Sequence, residues 1–262
     1  SGNRAHADGL FYGDDSRMTG SELEAQYNMR ARIPDHPEIF ARWAAEAAAY
    51  RAAAGGTKLL DQVYGPHARH RYDFFGVQGV GGRPITVFIH GGYWQRMDRT
   101  FYSQLAAGPN AHGLDAVIAQ YRLCPEVRVA DIFEDMRQLI RHLAQRAGRP
   151  LILAGHSAGG QLACLLSAHN WAMEGLAKSP ILAALSISGV YDLAPLVRTS
   201  LNEALRLDDA EARAASPQFG TSVPQTPVLC VVGALETEAF QRQQAIFVDR
   251  CAGLGAAVQG AT

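Results

Sequence analysis

The sequence predicts an α/β fold with a mostly parallel, doubly wound sheet and helices on both faces. After residue 82, short apolar runs rich in β-branched residues alternate with longer helical patterns. Such runs suit strands buried on both faces, and a strand-helix repeat places the strands parallel through right-handed crossovers. A chain of 262 residues can bury one large core, so we interpret residues 1–262 as a single domain.

The predicted strands of this repeat are residues 85–89, 115–120, 151–154, 181–188 and 227–232. The predicted helices are residues 130–146, 158–169 and 238–251. Two earlier runs, 58–64 and 71–77, lie on either side of Gly65 and Pro66. Because Gly-Pro is a turn signal, we expect these two runs to be the opening antiparallel strands of a mixed sheet.

Two further segments are predicted to be helical. Residues 21–54 are rich in Ala, Glu and Arg and are interrupted by Pro34 and Pro37, which predicts two helices separated by a break. Residues 192–219 are polar and contain one predicted helix at 202–215. We expect this second segment to form a small cap over the functional site.

The composition limits the classes of partner. The chain has 24 Lys+Arg against 25 Asp+Glu, so it predicts no binding to nucleic acid or to an anionic membrane surface. Its four scattered cysteines predict neither a disulfide nor a metal site. We expect no leader peptide, because no basic-then-apolar stretch opens the sequence, and no apolar run approaches the roughly 20 residues of a membrane span. We therefore expect a cytoplasmic protein with a small-molecule partner.

The strongest motif is Gly-His-Ser-Ala-Gly at 155–159, which follows a predicted strand and begins a predicted helix. It matches the G-x-S-x-G nucleophile elbow, in which a sharp strand-to-helix turn exposes a serine. This predicts an α/β-hydrolase fold with Ser157 as the nucleophile. The alternative is a small-residue turn that packs a helix against a strand. His156 is adjacent to the serine, and we interpret it as a packing residue.

A second motif, His-Gly-Gly-Tyr-Trp-Gln at 90–95, follows the strand predicted at 85–89. In this fold, the loop after that strand completes the oxyanion hole. We predict that the N–H of Gly91 or Gly92, together with that of Ala158, binds the developing oxyanion. His90 is interpreted as an anchor of this loop. The alternative is an ordinary glycine-rich turn with a core tryptophan.

The motif at 90–95 resembles the signature of the arylformamidases, or kynurenine formamidases. Residues 23–28, 155–160 and 188–193 also resemble segments of that family, so the resemblance extends from about residue 22 to residue 244. It implies a serine hydrolase without metal or organic cofactor, with N-formyl-L-kynurenine as substrate. The resemblance also suggests a homodimer.

The acid of the catalytic triad is expected after the strand predicted at 227–232. Glu236 occupies the place where the family pattern usually carries an aspartate, and either carboxylate can orient a catalytic histidine. Glu238 is the second candidate. The alternative for Glu236 is a surface glutamate stabilised by a helix N-terminus.

The third triad member has no counterpart in the sequence. The order Ser, acid, His requires a histidine after Glu236, but the last histidine is His169. Residues 256–260 resemble the start of the final strand. Two interpretations stand: a longer natural protein carries the histidine, or the protein is a pseudo-hydrolase that binds a ligand.

Aromatic residues are the candidates for substrate binding. Tyr93, Trp94 and Tyr191 can stack on an aromatic leaving group, and they are equally suited to the core. Arg198 is a candidate partner for a carboxylate, or an ordinary structural arginine. From the residues alone the substrate is a small acyl or formyl compound, so a carboxylesterase remains an alternative to a formamidase.

Overall fold

The computed structural model describes residues 15–79 and 81–262, in which the strands form one mixed sheet. The strands are β1 (Thr57–Val63), β2 (Arg71–Gly76), β3 (Ile85–Ile89), β4 (Asp115–Ala119), β5 (Leu151–His156), β6 (Ile181–Ile187), β7 (Val228–Val231) and β8 (Val258–Ala261). Their order is β1-β2-β4-β3-β5-β6-β7-β8.

The strand pairing confirms a mostly parallel sheet. β2 pairs antiparallel with both β1 and β4, whereas every pair from β4 through β3 to β8 is parallel. Parallel neighbours need long crossover connections, and the helical segments between these strands supply them. The predicted antiparallel opening and the strand predicted to begin near residue 256 are therefore both confirmed.

The α-helices of the described residues are α1 (Gly20–Tyr27), α2 (Met29–Arg32), α3 (His36–Ala53), α4 (Ala107–Ala111), α5 (Val129–Ala147), α6 (Ala158–Ala168), α7 (Asn202–Leu205), α8 (Asp209–Ala215) and α9 (Glu238–Gly253). Short 3₁₀ turns connect several of them. No candidate membrane span is found among these helices.

Hydrophobic residues cover both faces of the sheet. Along β3, Val87 and Ile89 belong to one buried cluster, while Phe88 between them belongs to a second. Because successive strand residues point to opposite faces, these two clusters lie on opposite sides of the sheet. Helix α5 presents Ile132 and Met136 to the first cluster, and α3 packs Trp43 against the second.

The two peripheral segments differ from their predictions. The single helix expected at 202–215 is two helices, because Arg206 adopts a left-handed conformation (φ 54°) that ends α7, and Asp208 then caps α8. Residues 21–54 form three helices rather than two. Asn28, with φ −83° and ψ 81°, leaves the helical region and separates α1 from α2.

Candidate active site

Ser157 lies at the turn between β5 and α6. Its backbone has φ 55° and ψ −117°, which is a strained conformation for a residue with a side chain. The turn is held on both sides, because the Ser157 N–H donates to the Ile187 oxygen at 2.8 Å and the Ser157 oxygen accepts from the Gly160 N–H at 2.9 Å. This geometry is the one expected of a nucleophile elbow, which keeps the serine hydroxyl clear of the sheet.

The small residues of the elbow leave no room for side chains. A Cβ on Gly155 would stand 2.0 Å from the Gly159 oxygen, and a Cβ on Gly159 would stand 2.0 Å from the Ile89 oxygen. Both obstacles are backbone atoms, which cannot rotate away as a side chain would. The two glycines are therefore required for the close approach of α6 to β5 and β3.

We expect Gly155→Ala to destabilise the protein by roughly 1–3 kcal/mol or more, because the new methyl group forces the turn apart. Chemical denaturation in urea measures this change as a lower midpoint. Gly253→Ala is the matched control, since a Cβ there meets no atom within 4 Å. Equal midpoints for the two variants would show that the elbow tolerates expansion.

The loop after β3 approaches Ser157 through Gly91. A Cβ on Gly91 would stand 3.0 Å from the Ser157 Cβ and 2.8 Å from the His156 oxygen. The next three residues, Gly92, Tyr93 and Trp94, have φ of 109°, 50° and 56°, so the backbone turns sharply beside the serine. The N–H groups of Gly91, Gly92 and Ala158 make no hydrogen bond within residues 15–79 and 81–262. Three unused donors beside a serine are suited to bind an oxyanion.

His90 supports this loop and is fully buried. Its Nδ1–H donates to the Gly91 oxygen at 2.7 Å, and its ring stacks on Tyr121 with centroids 4.2 Å apart. Burial lowers the pKa of His90 to about 4, so the imidazole is neutral at physiological pH. These contacts fit an anchoring residue.

Glu236 lies in the turn between β7 and α9 and lines the same cavity as Ser157. Its Oε1 accepts from the Ser188 hydroxyl at 2.6 Å and from the Gly233 N–H at 2.8 Å. Its Oε2 has no hydrogen-bond partner among the described residues. Glu238 is exposed in the first turn of α9 and does not line the cavity. The geometry therefore favours Glu236 over Glu238 as the acid.

Ser188 is a site residue that the sequence did not single out. It follows β6 with φ 50°, a strained conformation for serine, and lies on the cavity wall. Its hydroxyl holds Glu236, which is 48 residues further along the chain. The resemblance at 188–193 marked this segment, but no sequence signal joined it to the acid.

No histidine of the described residues completes a triad. His156 lies beside Ser157, yet its side chain makes no hydrogen bond to Ser157 or Glu236 within the described part of the chain. Burial lowers its pKa, and the negative charge of Glu236 opposes that effect only in part. The same residues contain no group of three or more histidine, cysteine, aspartate or glutamate side chains that is arranged to hold a metal ion.

The cavity in front of Ser157 has a volume of about 680 Å³. It is lined by Ser188, Glu236 and residues 92, 93 and 95–97 of the loop after β3. The N-terminal helices also line it, including Asn28 of the turn before α2 and Phe40 and Trp43 of α3. From the segment predicted as a cap, 192–219, only Ser200 and Leu201 line this cavity. The N-terminal helices thus cover more of the cavity than that segment does.

Two of the three aromatic residues expected at the substrate lie elsewhere. Trp94 is fully buried and its Nε1–H donates to Gln161 at 3.3 Å. Tyr191 is fully buried and stacks on Phe247 with centroids 4.4 Å apart. This corrects the expectation for both, because their polar atoms are satisfied inside the core. Tyr93 does line the cavity, and its hydroxyl donates to the Tyr27 oxygen.

Arg198 also lies outside the cavity. Its guanidinium donates to the backbone oxygens of Asp15 at 3.0 Å and Met18 at 2.6 Å. It therefore ties the 3₁₀ turn at residues 194–198 to the segment before α1. Of the two interpretations of Arg198, these contacts support the structural arginine.

Sequence comparisons agree with the predicted fold and with the family resemblance. A family model described as the α/β hydrolase fold matches residues 86–259. Kynurenine formamidase from Danio rerio is 26% identical over 240 residues, which cover 86% of this chain and 81% of that protein. Kynurenine formamidase from Salmo salar is 29% identical over 204 residues, which cover 74% and 68%.

Comparisons with solved structures also identify the α/β-hydrolase fold. A crystal structure from Silicibacter sp., provisionally described as a thioesterase, has a TM-score of 0.81 and 33% identity, covering 92% of this chain and 90% of that one. Esterase B from Lactobacillus rhamnosis has a TM-score of 0.66 at 17% identity, covering 92% and 84%, and shares the fold. The chain therefore belongs to the α/β-hydrolase fold family of hydrolytic enzymes.

Proposed function

We propose that this protein is a serine hydrolase that removes the formyl group of N-formyl-L-kynurenine, with Ser157 as the nucleophile. The observation that carries the proposal is the assembly around one cavity of a strained serine, unused backbone donors and a held carboxylate. The names of the similar formamidases support the substrate. We also propose a cytoplasmic location, which the four free, buried cysteines fit.

In the proposed reaction, the Ser157 hydroxyl loses its proton to a histidine and attacks the formyl carbon. The carbonyl oxygen becomes an oxyanion that accepts hydrogen bonds from Ala158 and from Gly91 or Gly92. The histidine then protonates the departing aryl amine, leaving a formyl ester on Ser157. Water, activated by the same histidine, attacks this ester and releases formate.

The base must reach both Ser157 and Glu236. The unpartnered Oε2 of Glu236 is the atom available to accept an N–H from such an imidazole and to hold its tautomer. None of the nine histidines of the sequence follows Glu236, where the resembling family carries its catalytic histidine. Without a base, an oxyanion hole and substrate binding still accelerate hydrolysis over water, roughly 10³-fold to 10⁴-fold in serine proteases.

The test is hydrolysis of N-formyl-L-kynurenine beside p-nitrophenyl butyrate. Both substrates are assayed with the 262-residue chain and, where the gene encodes further residues, with the longer product. We expect formamide cleavage in a form that holds the histidine. Ester cleavage alone would assign a carboxylesterase, a function that the apolar cavity wall also allows. No turnover by any form would leave a ligand-binding pseudo-hydrolase.

A further inference from the structure

Two arginines line the cavity. Arg30 is part of α2, and Arg96 belongs to the loop that follows the oxyanion residues. Neither guanidinium makes a hydrogen bond or an ion pair with any residue in the described part of the chain. Most other arginines that the structure describes do have such partners, for example Arg122 with Asp135 and Arg149 with Asp115. Two guanidiniums without a hydrogen-bonded partner, both lining one cavity, are thus a feature to explain.

The charge of the cavity is not balanced by its own residues. Among its described lining residues, Glu236 is the one carboxylate, and the Ser188 hydroxyl and the Gly233 N–H already hold its Oε1. A guanidinium carries a fixed positive charge in proteins. A cavity with two guanidiniums and one engaged carboxylate attracts an anionic ligand.

The residues around the two arginines indicate which chemical group the anionic ligand carries beside its charge. The Arg30 guanidinium lies 5.5 Å from the ring centroid of Phe40, whose own ring is 5.5 Å from that of Trp43. An aromatic ligand can pack on this wall. The backbone of Arg96 lies beside the predicted oxyanion loop, because a Cβ on Gly92 would stand 2.6 Å from the Arg96 backbone oxygen.

We propose that Arg30 and Arg96 form an anion-binding subsite that holds a carboxylate on the leaving group of the substrate. The subsite discriminates between carboxylate-bearing aryl substrates and neutral esters of similar size. Guanidinium groups suit this role because their planar donors match the geometry of a carboxylate. The identity of the reacting bond rests on the proposed function, whereas binding of the anion does not.

Calorimetric titration with kynurenine and with kynurenine amide tests the subsite without turnover. The two ligands share the aryl ketone and the amino group and differ in the carboxylate. We expect Arg30→Gln and Arg96→Gln each to weaken kynurenine binding by about 10-fold or more, and to leave binding of the amide nearly unchanged. Arg32→Gln is the matched control, because Arg32 ends α2, is exposed and does not line the cavity.

Three results would overturn the inference. Wild-type protein that binds neither ligand has no such subsite. If the arginine variants weakened binding of kynurenine and of its amide equally, the arginines would contribute only to packing and would not recognise the carboxylate. Coenzyme A is titrated as a third ligand, because its phosphates can bind the same guanidiniums. The subsite would be reassigned to phosphate if coenzyme A bound tightly, both variants abolished that binding, and the protein did not discriminate between kynurenine and kynurenine amide.

These outcomes are separable from the proposed function. A fluorophosphonate probe reports on Ser157 alone and requires no anionic group in the ligand. Labelling of Ser157 with no carboxylate discrimination would reject the subsite and keep the hydrolase. Discrimination without labelling would keep the subsite on a protein that binds and does not cleave.

Discussion

Ser157→Ala is expected to abolish covalent labelling by a fluorophosphonate and to lower hydrolysis by roughly 10⁴-fold to 10⁶-fold, as removal of the nucleophile does in serine proteases. The expectation follows from the elbow, where the Ser157 backbone has φ 55° and the Ser157 Cβ would lie 3.0 Å from a Cβ on Gly91, next to the unused N–H donors. Intact-mass spectrometry and peptide mapping after incubation with the probe detect the adduct. Initial rates with N-formyl-L-kynurenine measure the loss of turnover.

Ser167→Ala provides the control for this substitution. Ser167 lies on the same helix, α6, and its hydroxyl donates to the Ala163 oxygen at 2.8 Å inside the core. We expect Ser167→Ala to be labelled by the probe in every form of the protein whose wild-type version is labelled. An adduct that persists in Ser157→Ala would place the nucleophile on another residue and reject the proposed mechanism.

The strands of the sheet could be predicted from the sequence because each strand is encoded by its own short run of residues. The strand predicted at 85–89 is confirmed as β3, and β4 to β7 begin at or within one residue of their predicted starts. Each is an apolar run bounded by turn residues or a helical pattern, which is the signature of a buried parallel strand. The motif at 155–159 was equally readable, since its glycines are needed at the turn itself.

Contacts between distant segments could not be predicted in this way. The cavity wall formed by Phe40 and Trp43 is more than 100 residues from Ser157, and no periodicity records which helix will cover the serine. The buried positions of Trp94 and Tyr191 depend on partners such as Gln161 and Phe247. Aromatic residues fit core and site equally well, so only the packed structure separates these roles.

Glu236→Gln is expected to lower the turnover rate by roughly 10³-fold to 10⁴-fold, the loss found when a triad aspartate becomes its amide. The substitution preserves shape, and the new amide oxygen can still accept from Ser188. It removes the negative charge that stabilises an imidazolium during the reaction and that selects the histidine tautomer. The effect is therefore expected on kcat more than on KM, which steady-state kinetics of a form that turns over substrate can separate.

Glu238→Gln is the matched control, because Glu238 is two residues away, exposed and outside the cavity. It removes the same charge close to the same helix N-terminus, so a general electrostatic contribution would affect both variants alike. A large loss confined to Glu236→Gln identifies the triad acid by position rather than by charge. Equal and small losses of turnover in the two variants would contradict the assignment. The Glu236 carboxylate, which Ser188 holds, would then have a structural role.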